Sequence, residues 1–118
     1  MITPDDLIQK SNEFSTQTEE IYWRESTRLA YYAVYHKLQQ FATQNSIDLL
    51  KGKGGVHKKA ISSIQHYSDT GRDLAYYMDR MKKQRVIADY YLTDNFLQED
   101  AENQQATMQT CLGYLSQL

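Results

Sequence analysis

Residues that break helices are scarce in this chain, and their scarcity is the strongest constraint on its fold. The only proline, Pro4, stands near the N-terminus, and three of the five glycines are confined to residues 52–55. Because proline and glycine are the residues that most disfavour a helix interior, the long segments without them favour continuous helices. We therefore predict an all-α fold, an up-down bundle of four or five helices that forms one domain over residues 1–118.

Capping signals predict where the helices begin and end. Thr16 and Glu19 have the spacing of a capping box, which predicts that the second helix begins there. Thr70 with Asp73 is predicted to cap the fourth helix after a turn at residues 68–71. The predicted helices cover about residues 4–14, 16–45, 56–67, 70–92 and 97–118. The second of them carries apolar residues on both flanks, so we expect it to lie at the centre of the bundle.

The fourth predicted helix carries one charged residue, Arg85, in an otherwise apolar stripe. The members of that stripe are spaced alternately by four and three residues: Leu74, Met78, Met81, Arg85, Ala88 and Leu92. Because an unpaired buried charge is strongly unfavourable, Arg85 must be paired or must reach a solvent-filled groove. Asp89, one turn later, predicts an Arg85–Asp89 clamp between helices. The alternative is a cation held for a phosphate or a carboxylate.

A second group combines basic and aromatic residues on one face of the long second helix: Arg24, Arg28, Tyr31 and Tyr35. Such a face can hold a phosphate and stack a base, but tyrosine and arginine are also enriched at protein interfaces. We interpret it first as a dimer interface and second as an RNA site. The chain also holds ten tyrosines, with three adjacent pairs at residues 31–32, 76–77 and 90–91. In each pair we expect one ring to pack inward and the other to meet a partner.

The remaining candidate groups favour structural roles. His36 has apolar helical neighbours and is expected to be a packed, hydrogen-bonded side chain. The basic, glycine-rich segment over residues 51–59 could cradle a phosphate through its amides. It lacks the ending of a Walker sequence, and we interpret it as a mobile connector. His57 and His66 lack metal-ligand spacing, so we expect no metal and no cofactor.

Cysteine usage and hydropathy indicate the compartment. The single cysteine, Cys111, lies in a helical stripe with Met108 and Leu115, which predicts a buried, unreactive thiol and a reducing environment. The N-terminal segment lacks the apolar core of a signal peptide, and no apolar run approaches the ~20 residues needed to span a bilayer. We expect a soluble, cytoplasmic protein with no membrane partner.

Two segments resemble the HEPN family, small helical domains found in prokaryotic toxin–antitoxin, phage-defence and RNA-processing proteins. The first is Ser26-Thr-Arg-Leu-Ala-Tyr-Tyr-Ala-Val-Tyr-His36, which is similar to a segment of the family's long second helix. The second is Arg85-Val-Ile-Ala-Asp-Tyr90, which is similar to the Arg-x-x-Ala-Asp-Tyr signature of one branch. Their order and separation also agree with the family. The resemblance therefore implies an HEPN-like bundle that forms homodimers.

Many members of that family are metal-independent RNases that carry arginine, four to six residues, then histidine beside a dimer cleft. Arg85 matches the arginine, but Tyr90 stands where the histidine is expected. Tyrosine has an ordinary pKa of about 10 and is a poor general base at neutral pH. On a regular helix the two side chains also point about 140° apart. We therefore expect Tyr90 to donate its hydroxyl to a neighbouring helix rather than to act in catalysis.

The resemblance thus implies a non-catalytic module that dimerises and binds a partner protein or a nucleotide near Arg85. A minimal nucleotidyltransferase, or another component of a toxin–antitoxin or phage-defence locus, is the implied partner. The alternative is a divergent metal-independent endoribonuclease that uses Arg85 and Tyr90, with His36 or His57 as further candidates. A third reading is a plain helical interaction protein that shares only the fold.

Overall fold

Five α-helices and no strands make up the computed structural model, which describes residues 1–118. They are α1 (Pro4–Ser15), α2 (Glu20–Gln44), α3 (Val56–Gln65), α4 (Asp69–Tyr90) and α5 (Gln98–Gln117). The prediction of an all-helical bundle is confirmed. None of the five helices combines the length and the apolar character needed to cross a membrane.

The predicted capping box at Thr16 is wrong. Thr16 instead ends α1, where its hydroxyl donates to the Glu13 carbonyl oxygen at 2.8 Å. Glu19 is the N-cap residue of α2 and makes no side-chain capping hydrogen bond. The pattern failed because a threonine hydroxyl between two helices can serve the end of the first as well as the start of the second.

The start of α4 also differs from the prediction, since Ser68 rather than Thr70 is the cap. Ser68 Oγ accepts a hydrogen bond from the Gly71 N–H at 2.9 Å. A Cβ atom at Gly71 would overlap the carbonyl oxygen of Ile64. Glycine is therefore required where the end of α3 passes the first turn of α4. At its other end α4 stops at Tyr90, which leaves Leu92 outside the helix and exposed.

Helix α2 lies at the centre of the bundle, as its two apolar flanks predicted. It packs against α1, α4 and α5, while α3 packs against α4. The largest fully buried side chains come from α2, α3, α4 and α5. They are Tyr31, Leu38, Ile64, Leu74, Met78, Met81 and Met108. Apolar burial of this kind is the main favourable contribution to folding, at about 25 cal/mol per Å².

Buried polar side chains fix the register of the helices. Ser11 and Ser26 exchange hydrogen bonds, each hydroxyl donating to the other residue's carbonyl oxygen at 2.9 and 2.7 Å. The Gln104 amide of α5 donates to the carbonyl oxygens of Thr27 and Met81 at 3.2 and 3.1 Å. A shift of one helix along another would leave these groups buried without partners. The bundle is therefore specified by more than apolar contact.

Cys111 is fully buried, with its Sγ 3.7 Å from the Met81 Sδ. Burial raises the pKa of this thiol to about 12. The predicted burial of Cys111 is confirmed, and a raised thiol pKa disfavours the reactive thiolate form.

Candidate functional site

The first turn of α3 places His57 against the tyrosines of α2. The Tyr31 hydroxyl lies 2.9 Å from His57 Nδ1. The imidazole ring centroid is 4.4 Å from that of Tyr35 and 5.8 Å from that of Tyr32. Residues 56–59 of the segment predicted to be a mobile connector belong to helix α3. This first turn of α3 holds the His57 imidazole against the bundle.

Arg85 reaches the same aromatic group from α4. Its guanidinium carbon lies 5.8 and 5.7 Å from the ring centroids of Tyr31 and Tyr32. Its Nη1 lies 3.2 Å from a carboxylate oxygen of Asp89, which confirms the predicted Arg85–Asp89 pair. Asp89 also lies 3.8 Å from Arg28 of α2, so the carboxylate links two helices. Desolvated cation–π contacts of this kind contribute about 2 kcal/mol.

One polar atom of this arrangement has no partner. The Arg85 side chain is only 12% exposed, and its Nε is buried without a hydrogen bond. A buried, unsatisfied N–H is unfavourable by about 1–3 kcal/mol, more for a charged group. Such an atom is usually explained by a catalytic or binding role or by bound water. We refer to Arg28, Tyr31, Tyr32, Tyr35, His57, Arg85 and Asp89 together as the His57 cluster.

Burial shifts the pKa values of His57 and Tyr31 in the directions that favour their neutral forms. Burial, followed by the positive charges of Arg85 and Lys82, lowers the pKa of His57 below its ordinary value. Burial raises the pKa of Tyr31 above the ordinary value, although Arg85 opposes that shift. At neutral pH the Tyr31–His57 hydrogen bond therefore joins a neutral phenol and a neutral imidazole. Whichever nitrogen carries the proton, Nε2 is left to donate to, or accept from, a ligand.

Arg24 does not join this cluster. It is 9% exposed, and its guanidinium donates to four carbonyl oxygens at the end of α4 and in the loop after it, those of Ile87, Ala88, Tyr91 and Asp94, at 2.7–3.3 Å. This is a C-terminal cap, supplied by a cation from another helix. The predicted shared surface of Arg24, Arg28, Tyr31 and Tyr35 needs correction, since only Arg28 is substantially exposed.

Two further predictions about site residues are wrong. His36 is exposed and makes no hydrogen bond, with its ring centroid 5.5 Å from that of Tyr35. Tyr90 is 71% exposed and its hydroxyl has no partner, so it does not donate to a neighbouring helix. The predicted divergence of Arg85 and Tyr90 is confirmed, because one side chain is buried and the other faces solvent.

The contact of His57 with the tyrosines of α2 was not predicted from the sequence. The distribution of charge along the chain nevertheless indicates this region as a site for an anion. Nine of the 13 Lys and Arg residues, but only three of the 15 Asp and Glu residues, lie between Lys51 and Arg85. That segment carries a formal charge of +6, and the remainder of the chain, with four basic and 12 acidic residues, carries −8. The small net charge therefore conceals a strongly basic α3–α4 side.

No family model, curated protein or solved structure matches this chain. The HEPN resemblance thus rests on its two motifs. No three His, Cys, Asp or Glu side chains lie close enough together to hold a metal ion. The cluster itself offers two guanidinium groups, an imidazole, a carboxylate and three phenol rings.

Proposed function

We propose that this chain is a non-catalytic, HEPN-like helical module that binds single-stranded RNA or a nucleotide at the His57 cluster. The observation that carries the proposal is the position of the Arg85 guanidinium over the Tyr31 and Tyr32 rings, beside His57 and with Nε unpaired. Arginine held in this way can bind a phosphate oxygen, and the partly exposed Tyr32 ring can stack a base.

Local charge supports an anionic ligand. Lys82 and Arg85 lie close enough to the imidazole to lower the pKa of His57. Two carboxylates pair with cluster cations, Glu25 with Arg28 and Asp89 with Arg28 and Arg85, which leaves Lys82 without a carboxylate partner. The Arg28 side chain is 43% exposed and lies 5.4 Å from the Tyr32 ring centroid, so it is available to a ligand at the edge of the cluster. A single strand satisfies both requirements of such a surface, since it supplies charge and stacking faces together.

Fluorescence anisotropy with a labelled 12-nucleotide RNA tests the proposal. Arg85→Gln removes the buried cation but leaves Arg28 to pair with Asp89, so the variant is expected to fold. We expect its dissociation constant to rise at least tenfold. We also expect the slope of log affinity against log salt concentration to decrease by the amount that corresponds to one phosphate contact. Lys10→Gln on α1, which removes an exposed lysine paired only with Glu13, is the matched control. Equal affinities for these two variants would overturn the proposal.

A second candidate function is metal-independent cleavage of RNA, with His57 rather than Tyr90 beside Arg85. When Nδ1 donates to Tyr31, the His57 Nε2 lone pair can accept a proton from a ribose 2′-hydroxyl. The 2′ oxygen then attacks phosphorus, the 5′ oxygen leaves and takes a proton from a general acid, and Arg85 stabilises the charge on the phosphoryl oxygens. Cleavage in EDTA that His57→Gln abolishes and Tyr90→Phe preserves would establish this activity and overturn the non-catalytic proposal.

Dimerisation is a further part of the proposed function. One end of the bundle exposes five large apolar side chains near the junction of α4 and α5 and the start of α2: Ile21, Tyr90, Tyr91, Leu92 and Leu97. Exposed apolar groups gathered in this way are typical of interaction surfaces. Light scattering is expected to give twice the monomer mass at micromolar concentration. A monomer under those conditions would contradict the proposal, and Leu92→Glu is expected to shift the dimer toward that state.

The proposed setting is a toxin–antitoxin or phage-defence locus, with a minimal nucleotidyltransferase as partner. This part is supported by the resemblance of residues 26–36 and 85–90 alone. Inspection of the neighbouring gene tests it, because an adjacent nucleotidyltransferase is the expected result.

A further inference from the structure

A groove of about 430 Å³ lies between α3 and α4, outside the His57 cluster. Three cationic side chains line it, Lys58 from α3 and Arg72 and Lys82 from α4. Its other polar walls include Ser62 and Gln65, and Ile61 and Ala75 contribute apolar surface. A cavity of this size, apolar at its base with a few polar groups around it, falls within the range of ligand-binding sites.

The cations of the groove are not neutralised by its acid. Asp79 is the one carboxylate in the lining, and it bonds to Lys83 at 2.8 Å. Arg72 lies 3.7 Å from Asp69, but both side chains are largely exposed, and an exposed pair of this kind contributes little. The groove therefore keeps a net positive charge within the +6 segment between Lys51 and Arg85.

The spacing of the cationic and aromatic side chains along α4 fits a single-stranded nucleic acid better than a single phosphate. Arg72 and Lys82 are ten residues apart, which places them about 15 Å apart along the helix axis. Tyr76 lies between them, 61% exposed. Stacked nucleotides rise about 3.4 Å each, so the two cations lie several phosphates apart on one strand. An exposed aromatic ring between two phosphate contacts can stack an intervening base.

The groove adjoins the His57 cluster at Lys82, which lines the groove and lies close enough to His57 to lower its pKa. Lys58 directly follows His57 on α3, and Lys82 precedes Arg85 by one turn of α4. A single-stranded RNA lying along the groove would therefore leave it beside the half-buried imidazole of His57.

We infer that the α3–α4 groove is the path along which a single-stranded RNA segment reaches the His57 cluster. The inference rests on the proposed function for its ligand class and adds a second, separate contact surface. Because Arg72, Tyr76 and Lys82 all meet the strand, a mononucleotide fills only one end of the groove and binds more weakly than an oligomer.

Anisotropy titrations with a labelled uridine 12-mer over a range of salt concentrations test the inference. The double variant Lys58→Gln/Arg72→Gln removes two phosphate contacts at exposed positions in the groove lining, outside the His57 cluster. Each contact changes the salt slope by about 0.7 for a single strand, which is about 5-fold in affinity at 0.1 M salt. We expect about 25-fold weaker binding, a slope smaller by about 1.4, and wild-type behaviour for Lys10→Gln. Tyr76→Ala is expected to weaken binding and Tyr76→Phe to restore it.

Arg85→Gln, measured in parallel, separates this inference from the proposed function. If the groove variant binds like Lys10→Gln while Arg85→Gln binds weakly, the groove does not contact RNA and the inference is overturned, whereas the proposed binding at the His57 cluster is supported. If only the groove variant weakens, binding at the cluster is overturned, and with it the role of the groove as a path to the cluster, while the groove remains an RNA-binding surface. Absence of RNA binding by the wild-type chain overturns both. Competition by uridine monophosphate as strong as that by the unlabelled 12-mer overturns the strand path.

Discussion

The Tyr31 hydroxyl lies 2.9 Å from His57 Nδ1, and this contact ties α3 to the central helix α2. Helix α3 otherwise packs against α4, so the hydrogen bond and the tilted ring contact of His57 with Tyr35 hold its first turn in place. Arg85 lies at the ring of Tyr31 and is close enough to lower the pKa of His57. Stability and the proposed binding site therefore depend on the same two residues.

Tyr31→Phe is expected to destabilise the fold by about 1 kcal/mol, because it removes one buried hydrogen bond and leaves His57 Nδ1 without a partner. Urea unfolding at pH 7.5 measures the loss. Tyr90→Phe is the matched control, since that hydroxyl is exposed and unbonded, and its effect is expected to stay within about 0.5 kcal/mol. Equal stabilities for the two variants would show that the Tyr31–His57 contact contributes nothing.

The pH dependence of unfolding is expected to report on His57. Its pKa in the folded state is lowered from the ordinary value of 6.5, so the unfolded chain binds more protons just below that pH. Stability is therefore fully present above about pH 7 and falls as the pH decreases through 6.5 toward the folded-state pKa. The titratable and charged groups that face the imidazole are Tyr31, Tyr32, Tyr35, His36, Lys82 and Arg85.

Glutamine at position 57 tests this origin of the pH dependence. His57→Gln keeps an acceptor for Tyr31 and is expected to flatten the fall in unfolding free energy between about pH 7.5 and 5.5. His66→Gln, which removes an exposed imidazole, serves as the control. A wild-type pH profile in His57→Gln would exclude His57 as the source.

Arg24→Met is expected to destabilise the fold by about 2–4 kcal/mol, because four carbonyl oxygens at the end of α4 and in its following loop lose a charged donor. Thermal unfolding by circular dichroism measures it. Arg72→Met, at an exposed position on α4, is expected to change stability by less than about 0.5 kcal/mol. If Arg24→Met melts like Arg72→Met, the carbonyl cap has no stabilising role.

Two glycines are expected to respond in opposite directions to alanine. A Cβ at Gly71 would overlap the Ile64 carbonyl oxygen, so Gly71→Ala must displace backbone and is expected to destabilise by about 2 kcal/mol or more. Gly113 lies within α5, where a Cβ meets open space. Gly113→Ala is expected to stabilise by about 0.5–1 kcal/mol through helix propensity. Denaturant midpoints that move in the same direction for both variants would contradict this explanation.

Local features of the fold were predictable from the sequence because they depend on neighbours along the chain. The breaker-free segments predicted the helices, and the four-residue spacing of Arg85 and Asp89 predicted their pair. The same reasoning wrongly predicted that Thr16 caps the start of α2. A hydroxyl between two helices can bond either to the end of the first or to the start of the second, and the Thr16 hydroxyl bonds to the end of α1.

The candidate site was less predictable because distant residues assemble it. Tyr31 and His57 are 26 residues apart, and no local pattern gives their contact. Arg24 shares a helical face with Arg28, yet it is buried because the end of α4 comes to it with free carbonyl oxygens. The charge of the Lys51–Arg85 segment, by contrast, was available from the sequence and indicates the side of the bundle on which a phosphate would bind.

The most direct test of the proposed site is NMR of the three histidine side chains during titration with a uridine 12-mer. The imidazole resonances of His57 are assigned by their loss in His57→Gln. Binding at the His57 cluster predicts that these resonances shift in a saturable manner while those of His66, on the exposed end of α3, stay in place. Unchanged His57 resonances under conditions where RNA binds, or equal shifts of His57 and His66, would contradict the proposed site.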